Sequence, residues 1–146
     1  MKDSHQYKIL PEYKLNLQVY RGKVTLDIMF DSMKDLVNDN DYKVSNNGIV
    51  DFREAELEFK NKELEILLSF LQELKITSIL RKIALLTNTP NQVAFIMLFS
   101  HLAESSTNID YKVFSTFEGA MKFLRIADDK HLIVDSVLES LSKSGG

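Results

Sequence analysis

The spacing of apolar and polar residues changes period several times along this chain, and each change marks an element. Tyr13, Leu15, Leu17 and Val19 alternate with Lys14, Asn16, Gln18 and Tyr20, the two-residue period of a half-buried strand. The run YKIL before Pro11 and Glu12 reads as its hairpin partner, with Gly22 closing the pair. From Leu26 the period becomes helical: Leu26, Met29, Phe30, Met33, Leu36 and Val37 share one face, and Thr25 is placed to cap it. Residues 39–48 form a polar loop, and IVDFREAELEF follows as a strand. Leu64, Leu67, Leu68, Leu71 and Leu74 stripe a helix over 61–75 with Asn61 as its N-cap.

RKIALLTN is a short apolar strand of the kind buried on both faces of a parallel sheet. After it, Thr89, Pro90, Asn91 and Gln92 combine a hydroxyl cap, proline at the first helical position and Gln three residues on. The helix they open is apolar over most of its circumference. Val93, Ile96, Met97 and Ala103 are expected to face a sheet, while Phe95, Leu98, Phe99 and Leu102 cover adjoining sectors. Such a helix must be buried on more than one side. Three covers compete: neighbouring helices, a second copy of the chain, or an apolar ligand. IDYKVFS is a further strand, and Ser115 with Glu118 makes a capping box for a helix carrying Phe117, Ala120, Met121 and Leu124. Val134, Val137, Leu138 and Leu141 stripe a last helix over 130–142, the intramolecular candidate to cover the Phe95/Phe99 sector.

The order β-β-α-β-α-β-α-β-α-α predicts an α/β fold. Its sheet is mixed and largely parallel, with an N-terminal antiparallel hairpin, then βα units and an extra C-terminal helix. The 146 residues suit one domain, with 1–127 as its body and 128–146 as an added amphipathic helix and tail. A net charge of -3 leaves no electrostatic footprint for nucleic acid, and no Lys/Arg block suits an anionic lipid surface. Arg81 and Lys82 read as the solvated end of a strand. The absence of cysteine removes disulfides, thiolate zinc sites and cysteine nucleophiles together. The first residues lack the apolar core of a signal peptide, and no run nears the roughly 20 apolar residues of a membrane span. The expected location is the cytoplasm.

Catalytic and metal patterns are thin. His101 with Glu104, and His131 with Asp135, each set two potential ligands on one helical face, but a zinc site needs three or four. Residues 39–50 mimic a calcium loop, yet Lys43, Val44 and Val50 stand where an oxygen ligand, Gly and Glu are required. Asp51, Glu54, Glu56 and Glu58 could supply acid/base carboxylates, but alternation reads them as a solvated strand edge. Neither a glycine-rich phosphate loop nor a nucleophile elbow occurs. No cofactor and no enzymatic activity are expected.

Four stretches carry a resemblance: VYRGKVTLDIMFD, IVDFREAEL, RKIALLTNTPNQ and DYKVFSTFEGAMKFL. In this order, over about residues 5–126, the chain resembles the STAS-like domain family of bacterial anti-sigma-factor antagonists, in its SpoIIAA-like branch. The resemblance implies a superhelix of βα units behind an N-terminal hairpin, in a protein that regulates by binding another protein. It also implies a phosphorylated Ser or Thr at the N-terminus of the helix after the central strand. Here that stretch is Lys60, Asn61, Lys62 and Glu63, which holds no hydroxyl, and the next serine, Ser69, falls inside the helix. The phospho-switch is therefore not expected. The residues singled out for a partner or an apolar pocket are Phe95, Leu98, Phe99, Leu102, Val134, Val137 and Leu138. The expected occupants are a protein partner, a second copy as a homodimer, or, alternatively, an apolar small molecule or lipid between sheet and helices.

Overall fold

A computed structural model describes residues 4–143. The strands are β1 (His5–Leu10), β2 (Leu15–Val24), β3 (Asn47–Leu57), β4 (Arg81–Leu86) and β5 (Ile109–Phe114). The helices are α1 (Leu26–Val37), α2 (Asn61–Glu73), α3 (Pro90–Glu104), α4 (Phe117–Leu124) and α5 (His131–Lys143). The five strands lie side by side in chain order, β1 antiparallel to β2 and the rest parallel. The α/β class, the opening hairpin, the βα units and the C-terminal helix are those the hydrophobic pattern predicts.

Alternation along the strands divides the core between two faces. Leu15, Leu17 and Val19 of β2 point to one face, where Ala120, Met121 and Leu124 of α4 and Val134, Leu138 and Leu141 of α5 cover them. Tyr20 and Val24 of the same strand point to the other, joined by Val50, Phe52, Leu85 and Ile96. There α1, α2 and α3 make the cover, with Leu64, Leu67, Leu71, Phe99 and Ala103 packed together. Each fully buried Leu or Val of these sets contributes about 1.5–3 kcal/mol of burial.

Several local expectations are corrected. Gly22 does not close the hairpin: β2 runs on to Val24, and Gly22, at φ +67°, lies just past a register shift between β2 and β3. The turn from β1 to β2 is a short 3-10 segment at Pro11–Tyr13, with Lys14 left-handed behind it. Lys60, not Asn61, is the N-cap of α2, and its N–H donates to the Glu63 carboxylate at 2.7 Å. Thr116, not Ser115, caps α4 and accepts from the Gly119 N–H at 3.1 Å. Met97 does not face the sheet but is 59% exposed. The C-terminal helix does not cover α3; α5 lies on the opposite face, against β2 and β1. The cover of Phe99 and Phe95 comes from inside the molecule instead: Phe99 meets Tyr111 edge-on at 5.4 Å, and Phe95 meets Phe59 at 4.8 Å.

Candidate functional site

The residues proposed from sequence for a partner or pocket separate into three settings. Val134 and Leu138 are buried core under α5, with Val137 packed beside them. Phe95, Phe99 and Leu102 belong to the packing between α2, α3 and the sheet. Leu98 stands 39% exposed on the outer side of α3. Periodicity could not have separated them, because a helix apolar all round does not say which sector its neighbours leave bare.

The bare sector borders an open strand edge. β5 ends the sheet, and among the described residues no backbone group pairs with its outer edge, where the Ile109 N–H donates to Thr107 Oγ1 at 3.3 Å. Phe114 turns its carbonyl to the Thr87 N–H, so in a parallel ladder the alternate residues Tyr111 and Val113 turn their backbone groups outward. A groove of about 780 Å³ runs along this edge, bounded by Met97, His101 and Glu104 of α3 and by Leu80, which is 81% exposed. His101 and Glu104 therefore sit in the groove wall. Asp110 and Lys112 project from the same face of β5, and Lys112 Nζ lies 5.8 Å from the centre of the Phe123 ring.

Behind that edge lies an interior cavity of about 80 Å³, walled by Met33 of α1, Leu71 of α2, Phe99 of α3 and Val50, Arg81 and Tyr111 of the sheet. Arg81 corrects the reading of a solvated strand end: it is only 8% exposed. Its position in β4 is in phase with Ile83 and Leu85, and that period of two was the signal available in the sequence. Burial pulls its pKa below the usual guanidinium value, with the Tyr42 and Tyr111 phenols acting weakly against this. Burial likewise raises Tyr111 to about 12, so that ring stays neutral.

The acidic cluster is also split. Glu54, Glu56 and Glu58 are exposed, because β3 outruns β4 after Asp51 and is paired there only to β2. Asp51 is buried, contrary to the expectation of a solvated edge, and holds Arg53 through two parallel bonds, Nε to Oδ1 at 3.0 Å and Nη2 to Oδ2 at 2.8 Å. That clamp engages both carboxylate oxygens within the protein. His131 Nε2 lies 2.8 Å from the Ile126 carbonyl. Among the described residues no three His, Asp or Glu side chains come together as a metal site. Lys60, Asn61 and Lys62 are exposed at the start of α2, where the Glu63 carboxylate occupies the Lys60 N–H.

The fold and these settings define an open α/β sheet with one unpaired parallel edge and a small charged cavity behind it. Set beside family models, curated proteins and solved structures, the chain matches none.

Proposed function

We propose that this chain is a non-enzymatic regulatory or protein-binding domain of the STAS-like, SpoIIAA-like kind, acting in the bacterial cytoplasm by protein association without the phospho-switch. The hairpin followed by βα units supports the family reading, and the missing hydroxyl at residues 60–63 supports the absent switch. The observation that carries the association is the open β5 edge beside exposed Leu80 and Met97. Unpaired strand edges flanked by apolar side chains are templates for pairing with another chain.

A second copy fits this edge. Antiparallel pairing of two β5 strands about a twofold axis at Tyr111 sets Tyr111 opposite its own copy and Ile109 opposite Val113, which are the residues with outward backbone groups. The same register brings Asp110 opposite Lys112 twice, at the close, non-hydrogen-bonded positions where opposite charges attract.

Charge reversal tests it. The unaltered protein is expected to be a dimer by native mass spectrometry, Asp110→Lys to weaken it, and the swap Asp110→Lys with Lys112→Asp to restore it. A monomer throughout the micromolar range, or a dimer indifferent to both changes, refutes this pairing. The second reading, a carrier or sensor of an apolar small molecule, draws its support from the cavity beneath Arg81.

A further inference from the structure

Two arginines of this protein invite comparison. Arg53 uses the side fork of its guanidinium, Nε and Nη2, to hold both oxygens of Asp51. The side chain of Arg53 is 34% exposed, so water could share that duty. Arg81 is far more buried, yet its side fork holds nothing. Nη1 donates to the Ile76 carbonyl and, at 3.5 Å, to the Ile79 carbonyl. Among the described residues, Nε and Nη2 have no hydrogen-bond partner and no carboxylate lies within ion-pair distance. Neither atom is sealed from water.

A cation that is mostly buried and lacks a counter-charge is costly, because only part of its lost hydration is replaced. The carbonyls of Ile76 and Ile79 offset part of that cost. The remaining fork is the geometry that binds a carboxylate through two parallel bonds. It belongs to a side chain lining a cavity whose other walls are mostly apolar, with the polar groups Thr77, Gln18 and Tyr111 set among them. The volume of about 80 Å³ is several times the ~10–15 Å³ that one water requires. It does not suit a long acyl chain. Met29 and Met33 in the wall are flexible side chains that adapt to an occupant.

We propose that Arg81 and this cavity form a binding site for a compact apolar carboxylic acid, its carboxylate on Nε and Nη2 and its hydrocarbon body against Met33, Leu71 and Phe99. This rests on the second reading above and names the ligand class for it. Ile109 and Tyr111 line both the cavity and the outer groove along β5, so one layer of side chains separates the two.

The test titrates the protein with butanoate, hexanoate and octanoate, each matched by the neutral alcohol of equal length. Binding is followed by NMR at the Arg81 Nε–H and the Met33 methyl. At least one acid is expected to bind saturably, to shift both signals, and to bind at least about tenfold tighter than its alcohol. Acids and alcohols binding equally would leave an apolar pocket but overturn recognition by Arg81. No binding by either series would overturn the pocket reading as well. In Arg81→Met the preference for acid over alcohol should vanish. Should that variant not fold, the Arg81 Nε–H response in the unaltered protein decides the matter.

Discussion

Gln92 ties the start of α3 to β3 at the sheet's carboxyl end. Its Nε2 donates to the carbonyls of Phe52 and Ala55 at 2.7 and 2.8 Å, and its Oε1 accepts from the Asn88 N–H at 2.8 Å. From sequence it reads as the last member of a capping box; the partners of its Nε2 lie on β3, 37 and 40 residues away, and no local pattern reveals them. Gln92→Leu strands buried carbonyls, so a loss of about 2–4 kcal/mol is expected in urea unfolding, from penalties of roughly 1–3 kcal/mol per unmet group. The Thr89 cap, which accepts from the Gln92 N–H at 3.2 Å, survives that change. His5 sets a pH dependence. Its ring lies 4.5 Å from that of Tyr20 at a tilt of 43° and pairs with Gln18 Oε1 at 2.9 Å, and burial lowers its pKa below 6.5, against smaller raising effects of Gln18 and Asp35. The unfolded chain then takes up its proton first. Stability is full above about pH 6.5 and falls as the pH drops through the lowered value of the folded state. Unfolding midpoints at about pH 7.5 and 5.5 should therefore differ more in the unaltered protein than in His5→Phe; equal differences would remove His5 as the cause.

At the level of elements, the period of the apolar residues locates most strands and helices, because amphipathic spacing is a local property, while α3 is located by its capping signal and β4 by its short apolar run. Ends are less legible. Ser115 and Thr116 are both fit to cap α4, and the choice falls to Thr116 because β5 stays paired through Phe114, whose carbonyl meets the Thr87 N–H. The destination of a helix is less legible still. The stripe of α5 matches either face of the sheet, and only the crossover of α1, α2 and α3 to the other face leaves Leu15 and Leu17 for it to cover. Arg21 Nη1 adds a bond from β2 to the Ser142 carbonyl. Since Leu138 is 1% exposed, Leu138→Ala is expected to cost about 2–5 kcal/mol in denaturant unfolding. Leu132→Ala, on the bare side of the same helix, should change stability by less than about 0.5 kcal/mol. Equal effects of the two would mean that α5 is not docked as described.

For the molecule as a whole, the sheet has one more property: its spatial order repeats its order of synthesis. Each strand, once made, finds its neighbour already present, so loops close in short steps and the sheet can grow from β1 outward without waiting for distant pairing. The two faces are not finished on the same schedule. The side under α1, α2 and α3 is roofed as the strands accumulate, since those helices lie between them in the chain. The side under α5 is different. Leu15 and Leu17 are among the first apolar residues to be laid into the sheet, and their roof comes after every strand. A nascent chain therefore carries a greasy, half-built surface until α4 and α5 have been made. During that interval the growing chain is open to aggregation through a surface that the finished fold no longer shows.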